Sequence, residues 1–98
     1  MSATRQSRRD KKLFQKHADV IIRELRRTAS PSMDGGPKIE FAVANLGKWP
    51  ETAYLVSDTE RQEELRQQII EAFGIEPCII EFRAAFGGPG VVVTAHFG

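Results

Sequence analysis

The feature that most constrains the fold is a stretch from about Arg5 to Thr28 whose apolar and basic side chains separate on a helix. At about 100° per residue, one apolar stripe forms, with His17 and Ile22 on its flanks. The stripe consists of Phe14, Ala18, Ile21 and Leu25. Six cations, here called the basic ridge, fall on the opposite side, where Asp19 and Val20 interrupt them: Arg5, Arg9, Lys12, Lys16, Arg23 and Arg27. The pattern predicts a basic amphipathic helix over residues 5–28 that buries one side and exposes the other.

The next segments predict a linker and two strands. Residues 1–4 are expected to be flexible, and residues 29–37 contain the prolines and glycines of a linker. Ile39–Leu46 alternates, and we expect Ile39, Phe41 and Val43 to face the core. A turn at Gly47-Lys48-Trp49-Pro50 then leads to a second strand, Thr52–Val56.

The remaining segments predict a helix and a hairpin. Ser57 and Glu60 form a capping box that opens the second helix, and Gly74 is a plausible end for it. The buried face of this helix is predicted to contain Leu65, Ile69, Ala72 and Phe73. Cys78–Phe86 and Val91–Phe97 are the last two strands, joined by a turn at Gly87–Gly90.

These elements predict one α+β domain over residues 1–98, with the sheet and second helix in residues 38–98. The order is helix, strand, strand, repeated, and Ile39–Gly47 reads similarly to Ile80–Gly88. We therefore expect two helix–strand–strand units (αββαββ) that share a four-stranded, mainly antiparallel sheet with both helices on one face. A chance match between the two halves is the alternative.

The final hairpin predicts a second set of site residues. With Gly87–Gly90 as the loop, Phe86 pairs with Val91 and Phe82 with Ala95, so both faces have consistent patterns. The face away from the core then contains Glu81, Arg83, Thr94 and His96. This group is either a small polar site or an ordinary cross-strand ion pair on a solvated or interface face, and we favour the ion pair, with the four residues as candidates for a protein interface.

Composition limits the class of protein. The single cysteine, Cys78, excludes an intramolecular disulfide, and no apolar run approaches the length of a membrane span. A cytoplasmic (intracellular) setting is expected. Residues 1–30 contain nine Lys and Arg against three acidic residues, whereas residues 31–98 contain five against ten. A basic arm on an acidic body suggests either a polyanionic partner or packing between copies of the chain.

No pattern of catalytic residues is present. The two histidines belong to no metal-ligand spacing, and no serine-nucleophile signature occurs. Gly87-Gly88-Pro89-Gly90 lacks the Lys and Ser/Thr of a phosphate loop. We interpret His17 and Cys78 as packed core residues. The sequence therefore predicts a protein that is not an enzyme and has no cofactor or metal.

The second half of the chain resembles part of one known family. Tyr54-Leu-Val-Ser-Asp, then a helix, a strand and Gly88-Pro89-Gly90 before a final strand, resembles the C-terminal end of DegV-type fatty-acid-binding proteins. The similarity covers about 45 residues, and Phe86 replaces the family's histidine two positions before Gly-Pro-Gly. The family's large N-terminal lipid-binding domain has no counterpart here. The resemblance implies lipid binding as a third possible function.

Two other functions are favoured over lipid binding. The first is a binding module that docks the basic ridge on nucleic acid or on a nucleoprotein assembly. The second is a phage or bacterial adaptor subunit that binds a protein partner, or forms an oligomer, through the exposed sheet face. Lys48 and Trp49 at the predicted turn would belong to that protein interface, although the tryptophan ring could equally fold back over the helices.

Overall fold

A computed structural model describes the backbone of residues 2–31, 39–75 and 77–97, and the side chains of residues 11–29, 39–75 and 79–97. It contains three helices and three long strands. In chain order these are α1 (Ser2–Thr28), β1 (Ile39–Leu46), a 3-10 helix (Pro50–Val56), α2 (Thr59–Phe73), β2 (Pro77–Ala84) and β3 (Val91–Phe97). Most of the predicted linker and the side chain of Cys78 lie outside the described residues, and the flexibility expected at residues 1–4 stays a prediction.

The long strands form an antiparallel sheet in the order β1–β3–β2. Ala44 of β1 and Phe82 of β2 both pair with Val93 of the central strand. Ser30–Pro31 adds a two-residue pairing at the outer edge of β1. The Thr28 hydroxyl continues that edge, because it donates to the carbonyl of Val43 at 2.5 Å and accepts from its N–H at 2.8 Å.

The predicted αββαββ arrangement is wrong, because Thr52–Val56 is part of a 3-10 helix and not a strand. Pro50 occupies the first turn, where its missing N–H costs no hydrogen bond. Thr52 and Leu55 are both fully buried and are three residues apart, which matches the three residues per turn of a 3-10 helix. The first half of the chain therefore supplies one long strand of the sheet and a second helical segment, and the two halves are not copies of a helix–strand–strand unit.

All three helices contribute to a single core against one face of the sheet. From the helices, the buried apolar residues are Phe14, Ala18, Ile21, Leu25, Leu55, Leu65 and Ile69. From the strands, they are Ala42, Ala44, Leu46, Val91, Val93, Ala95 and Phe97. Partly buried side chains, including Trp49, Phe73, Ile80 and Phe82, pack around this cluster. The opposite face of the sheet is open to solvent.

The predicted orientation of β1 is also wrong. Ala42 and Ala44 face the core with no exposed surface, whereas Phe41 is 41% exposed on the open face and Val43 is only partly buried. Helix α1 packs mainly against β1, and Ala18 on the helix is buried as well. Small side chains at these positions allow the helix to approach the sheet closely, so the bulkier residues of β1 lie on the other side.

The hairpin register differs from the prediction by two residues. Ala84, not Phe86, pairs with Val91, so the connecting loop spans residues 85–90. Since side chains alternate with a period of two, the shift leaves each residue on its predicted face. The Ala85 N–H donates to the Gly90 carbonyl at 3.0 Å and closes the base of this wider loop.

The N-cap of helix α2 lies one residue later than predicted, and the helix ends where predicted. Asp58, not Ser57, is the N-cap, and its carboxylate accepts from the Arg61 N–H at 3.1 Å. The stop at Gly74 is confirmed: its φ of 67° is left-handed, a conformation that glycine adopts without the steric cost of a Cβ.

Candidate functional site

The basic ridge lies on the solvent side of α1. The structure describes Lys12, Lys16, Arg23 and Arg27, and all of them are exposed. The side chains of Arg5 and Arg9 lie outside the described residues. The buried residues of α1 occupy the opposite side of the helix, so these described cations are not needed for the core.

The cations of the ridge differ in their ion pairs. Arg27 Nη2 lies 2.8 Å from Glu24 Oε2, but the Arg27 side chain remains 70% exposed. Ion pairs at the surface contribute little to stability. Among the side chains that the structure describes, Lys12 and Arg23 form no ion pair. These two cations are therefore available to an external anion.

Trp49 lies next to the ridge, as in the alternative in which its ring folds back over the helices. The Lys16 ammonium is 5.9 Å from the centroid of the Trp49 ring, within the range of a cation–π contact. The turn after β1 holds this residue: the Trp49 N–H donates to the Leu46 carbonyl at 3.0 Å. Its own carbonyl accepts from the hydroxyl of buried Thr52 at 2.7 Å. The ring is partly buried against the core, and its interface role stays a prediction.

A groove of about 360 Å³ opens between the turn after β1 and the loop between β2 and β3. We call it the loop-end groove, and it is lined by Asn45, Gly47, Lys48, Trp49, Phe86, Gly87 and Gly88. Phe86 is fully exposed, and Lys48 is exposed beside it. The groove thus combines two aromatic residues with one cation, and no acidic residue lines it.

Close backbone packing holds the two walls of this groove together. A Cβ added at Gly88 would lie 2.4 Å from the Gly47 carbonyl oxygen, and one added at Gly90 would lie 1.8 Å from the Leu46 carbonyl oxygen. Only glycine permits this approach. Gly88 and Gly90 are therefore explained by contact between the loops, and this contact fixes the walls of the groove relative to each other.

The four predicted residues of the open face share one side of the sheet, with different neighbours from those expected. Glu81 is opposite Thr94 and forms an ion pair with Arg83 on its own strand at 2.8 Å. His96 is opposite Ile79 and Phe41. Ile79 is 56% exposed, so the open face presents apolar side chains as well as charged ones.

His17 is buried, as predicted, beneath the 3-10 helix. Its Nδ1 lies 3.0 Å from the hydroxyl of Tyr54, and its Nε2 is enclosed with no hydrogen-bond partner among the described residues. Burial lowers the pKa of His17; the charge of Glu51 acts in the opposite direction, and Lys16 lowers the pKa further. The imidazole is therefore neutral at pH 7, and it packs in the core.

In the described parts of the chain, no group of three or more His, Cys, Asp or Glu side chains is placed to hold a metal ion. None of the helices there combines the length and the apolar character that a membrane span requires. The chain matches no protein-family model, no curated protein and no solved structure.

Proposed function

We propose that the protein is a small, non-enzymatic, cytoplasmic module that binds nucleic acid, alone or within a nucleoprotein assembly, through the basic ridge of α1. The observation that carries this proposal is the state of the ridge cations. Lys12, Lys16, Arg23 and Arg27 are exposed on the side of α1 away from the core, and Lys12 and Arg23 have no ion pair among the described side chains.

The dimensions of the ridge suit a phosphate backbone. Lys12 and Arg27 are fifteen residues apart, which is about 22 Å along a helix that rises 1.5 Å per residue. One strand of B-DNA carries about six phosphates over that length, at 3.4 Å each. Each cation that neutralises a phosphate releases condensed counterions, so the binding should depend steeply on salt concentration.

The test is a salt series of anisotropy measurements with a labelled oligonucleotide. The ridge variant combines Lys12→Gln, Lys16→Gln and Arg23→Gln. If each cation contacts one phosphate, the variant should bind more weakly, and its log–log salt slope should be shallower by up to about three units. Its melting temperature should stay close to that of the parent, because surface substitutions usually change stability by less than about 0.5 kcal/mol.

A charge-matched control separates the ridge from the overall charge of the protein. Lys11→Gln, Arg66→Gln and Arg83→Gln together remove the same charge from other surfaces. This control should retain the salt slope of the parent. Equal losses in the two triple variants, or a parent that does not bind at low salt, would refute the proposal.

The open sheet face favours a second candidate function, a subunit that binds a protein partner or a copy of itself. Phe41 and Ile79 are exposed there, beside the Arg83–Glu81 pair. Light scattering over a concentration series tests this candidate. An oligomer that dissociates when Phe41→Ser and Ile79→Ser are combined would support assembly through the sheet, whereas a parent that is monomeric at all concentrations would exclude self-assembly.

A further inference from the structure

We infer that the loop-end groove stacks an unpaired nucleobase against Trp49 and Phe86, so that the nucleic acid bound by this protein is single-stranded. The inference rests on the proposed function and deepens it: the ridge supplies affinity for phosphates, and the groove selects the form of the nucleic acid.

Phe86 lies in the loop between β2 and β3, away from the core. Strand β2 ends at Ala84, so Phe86 is in the loop and contributes no buried surface to the core. A fully exposed phenylalanine leaves its whole ring in water, and the contact between Gly88 and Gly47 fixes the base of the loop that presents it. Phenylalanine has only two side-chain torsions, so a flat ligand that stacks on this exposed ring immobilises it at a low entropic cost.

The loop-end groove is adjacent to the basic ridge. The Lys16 ammonium contacts the face of Trp49, and Lys48 is adjacent to Trp49 and lines the groove. One cation, Lys48, therefore lines the groove, and a second, Lys16, lies over the ring of Trp49. A strand whose phosphates follow Lys12 and Lys16 would reach Trp49 at the cation–π contact of Lys16. Single-strand binding proteins use this combination of a cationic track and stacking rings.

The lining of the groove offers hydrogen-bond donors and no carboxylate. Asn45 Oδ1 accepts from the Gly47 N–H at 3.0 Å, which orients the side-chain amide, and its NH₂ group has no hydrogen-bond partner among the described residues. Two donors thus remain for the carbonyl or ring-nitrogen acceptors of a base. The absence of a carboxylate from the lining disfavours a basic peptide and suits a polyanion.

The geometry also explains why a duplex is not the preferred ligand. Bases in a duplex are stacked on each other, so their faces cannot reach protein rings without being unstacked. A groove of about 360 Å³ is at the small end of ligand pockets and suits one flat ring system, not a double helix. The ridge alone would bind both forms, and the groove adds free energy only for the single strand.

The experiment compares Phe86→Ala with Phe41→Ala, a control that removes another exposed phenylalanine from the open sheet face. The probes are a labelled single-stranded DNA, the RNA of the same sequence, the matching duplex, and a single-stranded DNA without bases at its central positions. Phe86→Ala should weaken binding of the intact single strands by about 5- to 150-fold, the value of one stacked base. Its salt slope should stay unchanged, because no phosphate contact is removed.

Four further results are expected. The control variant should bind like the parent, the abasic strand should bind the parent and Phe86→Ala equally, and the duplex should bind more weakly than the single strand. Fluorescence of Trp49, the chain's single tryptophan, should be quenched by the intact strand and much less by the abasic strand. A preference between DNA and RNA would identify the sugar that the groove accepts.

The two proposals fail in different ways. If Phe86→Ala binds every probe like the parent while the ridge variant loses affinity, the groove inference is overturned and the nucleic-acid function stands. If the parent binds no probe at low salt, the proposed function fails. If Phe86→Ala disrupts self-association and leaves oligonucleotide binding unchanged, the groove is a protein contact and the inference is again overturned.

Discussion

Replacing Ala44 with leucine tests which face of β1 packs against α1. Ala44 has no exposed surface and lies in the layer where α1 meets the sheet. Leucine adds three carbon atoms at a site that is already filled on every side. Its neighbour Val43 faces the open side and is only partly buried, so Val43→Leu is the matched control on the same strand.

The expected magnitudes follow from these environments. Overpacking a close-packed core usually costs about 1–3 kcal/mol, because side chains must leave their rotamers or α1 must move away from the sheet. For a domain of 98 residues, each kcal/mol lowers the melting temperature by about 4–8 °C. Ala44→Leu should therefore melt about 4–24 °C below the parent. Val43→Leu should stay within about 0.5 kcal/mol, because its larger side chain extends into solvent.

Urea unfolding followed by Trp49 fluorescence, together with thermal melts followed by circular dichroism, measures both values. Unchanged m-values would show that the variants differ in stability and not in the surface area that unfolding exposes. A stable Ala44→Leu with a strongly destabilised Val43→Leu would refute the orientation of β1 described above. That outcome would restore the face expected from sequence, in which Val43 is a core residue.

Two other substitutions test the edge of the sheet and the buried histidine. Thr28→Val removes the hydroxyl that bonds the N–H and carbonyl of Val43, and the unpaired groups should cost about 1–3 kcal/mol in urea unfolding, with Thr28→Ser retaining most of the stability. Because burial lowers the pKa of His17 below its ordinary value of 6.5, the unfolded chain binds the proton more readily, and the free energy of unfolding should fall as the pH drops below about 6.5. His17→Gln should flatten this dependence between pH 5.5 and 7.5 (about one unit on either side of 6.5), whereas His96→Gln, at an exposed position, should retain it.

The helices were the predictable part of the fold. The apolar stripe of α1, from Phe14 to Leu25, extends over about three helical turns, so Phe14, Ile21 and Leu25 could be assigned to the core from spacing alone. Gly74 could be assigned as a helix end because a left-handed residue is most often glycine. In both cases a local signal in the sequence agrees with the tertiary structure.

The errors arose where two patterns fitted the same residues. In β1 both faces are apolar, and choosing the larger side chains favoured Phe41 over Ala44, although the close approach of α1 requires the smaller ones. In the hairpin, a shift of two residues preserves both faces, so alternation could not distinguish Ala84 from Phe86 as the partner of Val91. Side-chain alternation in the sequence predicts which residues share a face of this hairpin. The contacts of its loop determine the register.

The loop-end groove was beyond sequence reasoning for a different reason. Its walls come from residues about forty positions apart, and they meet through backbone contacts between Gly88 and Gly47 that no local pattern encodes. The one available signal was an aromatic residue, Phe86, directly before a glycine-rich turn. Such a residue has neither strand alternation nor helical periodicity to bury it, so an exposed position could have been expected.

The 3-10 helix links the corrected fold to the proposed site. Had Thr52–Val56 been a strand, Trp49 would have been at the tip of a hairpin, away from α1. The helical segment instead buries Thr52, whose hydroxyl bonds the Trp49 carbonyl, and this holds the tryptophan ring within reach of Lys16. The same choice of local structure that breaks the apparent repeat therefore joins the aromatic groove to the basic ridge. In the proposed binding site, the two surfaces are adjacent because this segment is helical.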